Sequence, residues 1–335
     1  MNAAASPVEP VAPADAGADG HGPAHGHGPA PAHGHGTRAI LAALIANLGI
    51  AIAKFVGFLI TGSASMLAEA GHSVADTTNQ GLLLLGGRQA KKPEDEEHQF
   101  GYGMARYFWS FVVALILFSL GSLFAIYEGI KKLQNPHEVE KPAVAILILS
   151  VAIVLEGYSF RTALAESRPL KGSQSWWSFI RTSKVPELPV LLLEDSGALV
   201  GLVIALSGVG LTLVTGEVAF DAIGTLLIGA LLGVIAAILI VEMRSLLLGE
   251  GVARDDRARV RTAVEGHAQV SRFIHARTMH LGPDDVLVAT KVELSAELSF
   301  ERVAAVIDEI EARIRTVLPS ARVIYVEPAV FDSER

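Results

Sequence analysis

Residues 63 to 85 read Ser-Ala-Ser-Met-Leu-Ala-Glu-Ala-Gly-His-Ser-Val-Ala-Asp-Thr-Thr-Asn-Gln-Gly-Leu-Leu-Leu-Leu, a segment long enough to cross a membrane. Polar residues recur in it at spacings of four, three, four and three, at Ser65, Glu69, His72, Asp76 and Asn79. This period places all five on one face of a helix. An ionisable group at the centre of a membrane helix costs about 2.5 to 3.5 kcal/mol. The polar stripe therefore has to be paired, hydrated or bound to a cation.

His72 and Asp76 are the central members of this stripe. At positions i and i+4 they project side by side and offer one nitrogen and one oxygen to the same ion. We interpret them as half of an intramembrane metal site, the alternative being a buried pair that only holds helices together. Glu69 lies one turn before His72, where it either orients the imidazole, relays a proton or serves helix packing.

The composition indicates a membrane protein. The 335 residues are 51% hydrophobic, with a mean hydropathy of +0.43, and the charges lie between the apolar blocks. The net charge of −8 does not favour nucleic acid as a partner. The chain has no cysteine, so a metal site must use His, Asp and Glu. Six apolar blocks are long enough to span a bilayer. They run over residues 38–61, 63–87, 106–131, 142–165, 188–214 and 218–247.

The loops predict the orientation. Basic residues concentrate in the connections between the second and third spans and between the fourth and fifth spans. The positive-inside rule then places both termini in the cytoplasm. Residues 1–37 are rich in Ala, Pro, Gly and His and are predicted to be a disordered tail without a signal or transit peptide. Its histidines either collect metals such as zinc, copper or nickel loosely or have no role.

Residues 249–335 have the pattern of a small cytoplasmic α/β domain. We expect a helix near 253–266, strands near 270–281 and 285–294, a helix from Ser299 and a last strand at 322–327. In the second strand, alternate residues from Val286 to Leu294 share one face. Apolar residues from Phe300 to Val317 form one stripe on the second helix. An α-β-β-α-β domain of this size favours a partner.

These features together resemble the cation diffusion facilitator family. The resemblance rests on six spans, the His72-x-x-x-Asp76 pair in the second span, the small α/β tail and several local stretches. These stretches are Gly62-Ser-Ala-Ser-Met-Leu-Ala-Glu69-Ala-Gly-His72, His98-Gln-Phe-Gly-Tyr-Gly, and Asp221 opening the sixth span. Stretches such as Asp76-Thr-Thr-Asn79-Gln and Leu193-Glu194-Asp195-Ser-Gly-Ala are most similar to the branch that contains zinc transporter nine.

The resemblance implies a six-helix transmembrane bundle over residues 38–248 and a ferredoxin-like dimerisation domain over residues 249–335. It implies export of a divalent metal from the cytoplasm against inward proton flow, by a homodimer in the inner (plasma) membrane of a bacterium. Zn²⁺ is the first choice of substrate, with Mn²⁺, Fe²⁺, Co²⁺ and Ni²⁺ as alternatives. No cofactor is required and no enzymatic activity is expected, since no catalytic arrangement stands out in the sequence.

The fifth span departs from the family pattern, which usually has a second His-x-x-x-Asp or Asp-x-x-x-Asp pair there. Asp195 matches the second position of that pair, but Leu191 occupies the first. Glu194 and Asp195 are adjacent and lie 100° apart on a helix, so both do not readily face one ion. We expect Asp195 to be the ligand and Glu194 a substitute ligand or proton carrier. Glu156, in the fourth span, is the other candidate to complete the site.

Two further positions that bind metal in relatives also depart. In the loop after the second span, Asp95 and His98 match an acid and a histidine, but Tyr102 replaces a second histidine. This loop is therefore either a metal site or a solvated acidic loop. In the tail domain, His275 and Glu327 match metal ligands of relatives, but Lys291 and Tyr325 stand where those relatives have histidines. We predict that this domain dimerises without a binuclear metal centre.

Two alternatives to a zinc exporter remain at this stage. The incomplete fifth-span pair is compatible with a non-transporting membrane metal sensor or assembly factor. An oxygen-rich site is compatible with a manganese or iron exporter of the same fold.

Asn47, inside the first span, hydrogen-bonds either across helices or to the site.

Overall fold

A computed structural model describes residues 37–61, 64–116, 121–135 and 142–329 of the chain. The predicted disordered tail, residues 1–37, lies outside this part of the chain except for its last residue. Eight helices precede the tail domain within the described residues. They are α1 (Thr37–Thr61), α2 (Ala64–Gln89), α3 (Ala105–Ile116), α4 (Leu123–Gln134), α5 (Pro142–Lys171), α6 (Trp176–Thr182), α7 (Glu187–Thr215) and α8 (Ala219–Leu248).

Three helices among the described residues have both the length and the apolar composition needed to cross a bilayer. They are Ala143–Lys171, Glu187–Thr215 and Ala219–Leu248, and they correspond to the predicted fourth, fifth and sixth spans. The predicted first and second spans coincide with α1 and α2, which have 25 and 26 residues. The predicted third span covers both α3 and α4, and residues 117–120 between them lie outside the described residues. The count of six spans therefore stays a prediction.

Small residues allow the membrane helices to pack closely. Gly197 of α7 faces Ile235 of α8, where a Cβ atom on the glycine would lie 2.5 Å from the isoleucine Cδ1. Gly229 of α8 faces the backbone of Ile126 in α4 at 2.9 Å by the same measure. At Gly229 a larger residue would push the backbones of the two helices apart, whereas at Gly197 the end of the Ile235 side chain would have to shift. Around these contacts α7 and α8 contribute most of a shared apolar core with α1, α2 and α3.

The tail domain has the predicted element order. Its elements are α9 (Arg254–Glu265), β1 (Val270–His280), β2 (Val286–Leu294), α10 (Phe300–Val317) and β3 (Ala321–Pro328). The strands form one sheet in the order β1-β2-β3, with β1 and β2 antiparallel and β2 and β3 parallel. Val286, Val288 and Val292 of β2 are buried against α9 and α10, as their alternation predicted.

The prediction was wrong for Phe300, the first residue of the apolar stripe on α10. Phe300 is 83% exposed, whereas Val306, Ile310 and Ile314 are fully buried. Ser299 caps the helix by accepting a hydrogen bond from the Arg302 backbone, so Phe300 is the first helical residue. Phe300 is therefore not part of the apolar core of the tail domain, to which Val306, Ile310 and Ile314 belong.

The tail domain contacts the membrane domain through an ionic cluster that we call the junction, formed by Arg106, Lys184, Glu187, Glu250, His280 and Asp284. Arg106 binds Glu187 with two parallel hydrogen bonds, Nε to Oε1 at 2.5 Å and Nη2 to Oε2 at 2.8 Å. Its Nη1 also lies 3.8 Å from Asp284 Oδ2, in the turn between β1 and β2. One guanidinium thus joins the starts of α3 and α7 to the tail domain.

The second half of the junction joins the chain before α7 to the segment that leads into the tail domain. Lys184 forms an ion pair with Glu250, and the His280 backbone N–H donates to the Glu250 carbonyl at 2.8 Å. Burial opposes ionisation of Glu250, but hydrogen bonds from Lys184 and Ser245 outweigh it and lower the pKa of this carboxyl group. Burial lowers the pKa of His280, and the charge of Lys184 adds to this effect.

Candidate metal-transport site

The helix that carries the predicted His72 and Asp76 pair is present. Both residues, together with Glu69, lie within α2, in agreement with the predicted period of the stripe. The side chains of Glu69, His72 and Asp76 lie outside the described residues, so their pairing and their roles stay predictions. Asn79, the last member of the stripe, has a described side chain that is 2% exposed. It shows where this end of the stripe packs.

Two adjacent acids in α7 are buried and face different neighbours. Glu194 is 7% exposed and Asp195 is 2% exposed. Glu194 Oε1 accepts a hydrogen bond from Asn79 Nδ2 of α2, whereas Asp195 Oδ2 accepts one from Ser159 Oγ of α5 at 2.9 Å. The divergence follows from the 100° rotation between neighbouring helical residues. The two carboxylates are therefore presented to α2 and to α5, respectively.

Glu194 is held by two carboxamides from α2. Asn79 Nδ2 and Gln80 Nε2 each donate to Glu194 Oε1 at 3.3 Å. Gln80 is fully buried and accepts a hydrogen bond from Asn47 Nδ2 of α1 at 3.2 Å. Asn47 thus makes a contact across helices, one of the two options that the sequence left open. These donors are neutral, so they stabilise the carboxylate without cancelling its charge.

Glu156 lies on the face of α5 that carries Ser159. The two residues are three positions apart, which is one helical turn, and they are 7% and 1% exposed. Because Ser159 contacts Asp195, this spacing puts Glu156 on the side of α5 that faces α7. Its position is compatible with the predicted role of completing the site.

The loop between α2 and α3 uses its acid to order the backbone. Asp95 Oδ1 accepts hydrogen bonds from the backbone N–H groups of Glu97 and His98, at 3.1 and 2.7 Å. Tyr102, which replaces the second histidine of relatives, donates its hydroxyl to Asp95 Oδ2 at 2.5 Å and stacks on His98 at 4.2 Å. The hydrogen bond from Tyr102 and those from the backbone lower the pKa of Asp95.

In the tail domain Lys291, which stands where relatives have a histidine, binds one of the two residues that match metal ligands of relatives. Lys291 Nζ donates to Glu327 Oε1 at 2.7 Å and lowers the pKa of this carboxyl group. His275 pairs with Lys291 across β1 and β2 and is exposed at the sheet surface. Among the side chains that the structure describes, no three of His, Asp and Glu come together as a metal-binding group.

Sequence reasoning missed three polar residues of this region. Gln80 and Ser159 were not singled out, and Asn47 was noted without a partner. Each is a buried polar residue in an otherwise apolar helix, with exposures of 0%, 1% and 6%. That signal was present in the sequence, but a single carboxamide or hydroxyl is inexpensive in a helix bundle and indicates no partner by itself.

Two family models and several known proteins match this chain. The family model described as the cation efflux transmembrane domain matches residues 40–248, and that described as the cation efflux protein cytoplasmic domain matches residues 252–329. The chain is 33% identical over 267 residues to the human mitochondrial proton-coupled zinc antiporter SLC30A9, which covers 79% of this chain and 46% of that protein. It is 27% identical over 284 residues to the cation-efflux pump FieF of Shewanella oneidensis, covering 84% of this chain and 90% of the pump.

A plant relative extends the similarity. Metal tolerance protein C4 of Arabidopsis thaliana is 27% identical over 268 residues, which is 79% of this chain and 58% of that protein. The chain matches about half the length of the zinc antiporters, 46% of the human protein, but nearly all of the bacterial pump.

Proposed function

Because this chain belongs to the cation diffusion facilitator family of divalent cation efflux transporters, we propose that it exports zinc across a membrane in exchange for protons. The observation that carries the proposal is the contact between α2 and α7. Glu194 of α7 is buried and accepts hydrogen bonds from two consecutive residues of α2, the helix that contains His72 and Asp76. An acid from one membrane helix thereby lies against the polar stripe of another.

We propose that His72, Asp76 and Asp195 ligate the metal, with Glu194 and Glu156 as further oxygen ligands. Asp195 is buried in α7, and a hydroxyl on α5 holds its carboxylate. Glu156 lies on the same side of α5 as that hydroxyl. Carboxylates buried among apolar helices are costly unless a cation or proton compensates their charge, which is the requirement of a transport site.

Proton exchange follows from the same groups. A metal-binding imidazole must be neutral and a metal-binding carboxylate must be ionised, so protons and metal compete for them. Histidine titrates near pH 6.5 and is suited to this exchange around neutral pH. Glu69, one turn from His72, is proposed to relay the proton.

The organisation of the molecule is part of the proposal. Residues 38–248 form six spans, and residues 249–335 form the domain through which a homodimer assembles, with both termini in the cytoplasm and the bundle in a bacterial plasma membrane. The loop before α3 and the segment before α7 both contact the tail domain, which supports placing these two basic connections on the cytoplasmic side. Phe300 and Tyr325, which are 83% and 56% exposed, are large rings available to a partner subunit.

We propose no resident metal in the tail domain, since an ammonium group binds Glu327 where relatives use histidines. For the loop after α2, the hydrogen bonds that Asp95 accepts favour the structural role over a metal site.

Two other functions have a specific observation in their favour. Leu191 is fully buried at the position where the family usually has a ligand, which favours a metal sensor or assembly factor without turnover. The number of carboxylates around α7 favours a manganese or iron exporter, because harder divalent ions prefer oxygen ligands. The zinc-exporter proposal treats His72 as the nitrogen ligand that retains zinc preference.

The test is metal flux in proteoliposomes with an imposed pH gradient. Zinc, manganese, iron, cobalt and nickel are offered in turn to the wild type and to His72→Ala, Asp195→Ala and Glu194→Ala. We expect zinc flux that depends on the gradient, is abolished by His72→Ala and Asp195→Ala, and is reduced by Glu194→Ala. Binding of zinc without flux of any metal would support the sensor. Unchanged flux in His72→Ala would overturn the site assignment.

A further inference from the structure

A chain of hydrogen bonds crosses three helices and ends on one carboxylate. Asn47 Nδ2 of α1 donates to Gln80 Oε1 of α2 at 3.2 Å, and Gln80 Nε2 donates to Glu194 Oε1 of α7 at 3.3 Å. The three side chains are 6%, 0% and 7% exposed. Water therefore does not compete strongly for these donors and acceptors, and each carboxamide depends on its neighbour.

The Glu194 carboxylate determines which group of each carboxamide donates in this series of hydrogen bonds. An ionised carboxylate only accepts hydrogen bonds, so Gln80 must present its NH₂ group to Glu194. The Gln80 oxygen then faces α1 and needs a donor, which is the NH₂ group of Asn47. If Gln80 turned over, its oxygen would face the carboxylate, and two acceptors would repel. Asn47 thus supports the orientation of Gln80 that the carboxylate requires, without touching Glu194.

Asn79 strengthens the hold on the same oxygen. Its Nδ2 donates to Glu194 Oε1 at 3.3 Å, the atom that Gln80 also contacts. Two donors from adjacent helical residues approach this oxygen from different directions, which restricts rotation of the carboxylate. Carboxamides have no proton that titrates near neutral pH, so this restraint persists while the metal site exchanges protons.

We propose that Asn47 and Gln80 are positioning residues that hold the Glu194 carboxylate in the geometry that gives the site its zinc preference. This inference rests on the proposed function, in which Glu194 is an oxygen ligand of the transported metal. Outer partners that orient a ligand typically change metal affinity by roughly 10- to 100-fold. A carboxylate held in one orientation favours an ion of matching size and geometry, whereas a mobile one accommodates several ions.

The experiment compares Asn47→Leu and Gln80→Met with the wild type, in detergent for binding and in proteoliposomes for flux. We expect the apparent KM and Kd for zinc to rise by about tenfold, with Vmax within about twofold. The ratio of zinc to manganese flux is expected to fall. Thr212→Val is the matched control, because Thr212 is a buried polar residue of α7, 8% exposed, away from this chain of hydrogen bonds. We expect no change in KM or in the metal ratio for this variant.

Combined variants show whether Asn47 acts through Glu194. In a Glu194→Gln background, Asn47→Leu is expected to have little further effect on the Kd for zinc, because the positioned carboxylate is already lost. Equal effects of Asn47→Leu in both backgrounds would overturn the proposal, as would equal loss of flux for all metals together with lower thermal stability.

The outcomes separate this inference from the proposed function. Zinc flux that depends on His72 but is indifferent to Asn47→Leu and Gln80→Met leaves the exporter intact and removes the positioning role. A wild type that binds zinc without transporting it removes the exporter, and the Kd values still report whether Asn47 and Gln80 set the affinity.

Discussion

Two groups of acids in this protein are satisfied by different chemistry. Glu194 and Asp195, in the apolar part of α7, accept hydrogen bonds from carboxamides and from a serine hydroxyl. Glu187, at the start of the same helix, binds the guanidinium of Arg106, and Glu250 binds the ammonium of Lys184. Neutral donors leave the negative charge of a carboxylate available to a cation, whereas basic partners cancel it.

Under the proposed function, the first two acids serve metal binding and the other two join the membrane domain to the tail domain. Burial alone does not distinguish them, since Glu187 and Asp195 are each 2% exposed. Sequence position does not distinguish them either, because both lie on α7. Their described partners do differ, since Glu187 binds the guanidinium of Arg106 and Asp195, which we propose as a metal ligand, accepts from the hydroxyl of Ser159.

The largest expected effect comes from neutralising Asp195. Asp195→Asn keeps the shape of the side chain and an acceptor for Ser159 but removes the charge. We expect metal flux to fall by roughly 100-fold or more, since even outer partners of ligands are worth 10- to 100-fold. The melting temperature is expected to stay the same or rise, because a buried charge has been removed. Flux assays and thermal unfolding of one preparation check both parts. Retained flux with a lower melting temperature would reverse the assignment.

The matched substitution at the junction should have the opposite profile. Glu187→Gln removes the carboxylate that binds Arg106 with two hydrogen bonds and leaves this largely buried guanidinium with the more distant carboxylate of Asp284. Breaking a buried ion pair costs about 3 to 5 kcal/mol. We expect a clearly lower melting temperature and an unchanged Kd for zinc in the folded fraction, measured by calorimetry.

Replacing both junction partners tests the cause of this loss. Arg106→Met combined with Glu187→Met is expected to recover most of the stability, because an apolar pair needs no charge compensation. A zinc Kd that rises with Glu187→Gln as strongly as with Asp195→Asn would contradict the separation of the two groups.

A smaller effect is expected from the backbone contact between Gly103, in the loop before α3, and Leu281 of the tail domain. A Cβ atom on Gly103 would lie 2.5 Å from the Leu281 carbonyl oxygen, so Gly103→Ala forces the loop and the tail domain apart. We expect a loss of about 1 to 3 kcal/mol and faster proteolysis within residues 90–104. Gly87→Ala is the control, because no atom lies within 4 Å of its added Cβ, and alanine favours the helix. Equal proteolysis of the two variants would show that the contact contributes nothing.

The smallest expected effect is the pH dependence of stability that arises at the junction. The pKa of His280 is lowered from 6.5, mainly by burial and further by the charge of Lys184, so the folded junction prefers the neutral imidazole. Its contribution to stability is present above pH 6.5 and is lost as the pH falls through the lower pKa of the folded state. Glu250 also has a lowered pKa and loses its contribution only in more acidic solution, below its ordinary value of 4.5.

These windows allow the histidine to be isolated. His280→Gln is expected to remove the decrease in melting temperature just below pH 6.5 and to leave the decrease in more acidic solution. Thermal unfolding across this pH range checks the expectation, and an unchanged profile in the variant would exclude His280 as the cause.

Local patterns predicted much of the architecture. The tail domain has the predicted order of elements, because alternation in β2 and the stripe on α10 are properties of neighbouring residues. Phe300 was the exception, since periodicity does not show where the covered part of a helix begins. The third span was predicted as one segment from hydropathy, and it stays a prediction because residues 117–120, between α3 and α4, lie outside the described residues.

The residues of the candidate site could be proposed from the sequence, but the contacts of the buried acids could not. The polar stripe and the two acids of α7 stand out because charge is costly in an apolar segment. Hydropathy carries no information about which neighbour each acid faces. The sequence shows that residue 291 is a lysine, but its ion pair with Glu327 depends on the parallel register of β2 and β3.

From the amino-acid order alone follow the apolar blocks, the polar stripe of α2 and the α-β-β-α-β tail, because hydropathy and periodicity are local. The partners of the buried acids were settled by the packing of distant segments. Asn79 and Glu194 are 115 residues apart, and Arg106 and Glu187 are 81 residues apart. Contacts over such separations exist only after the helices have packed, so the neighbour that each buried acid faces is decided by the tertiary structure.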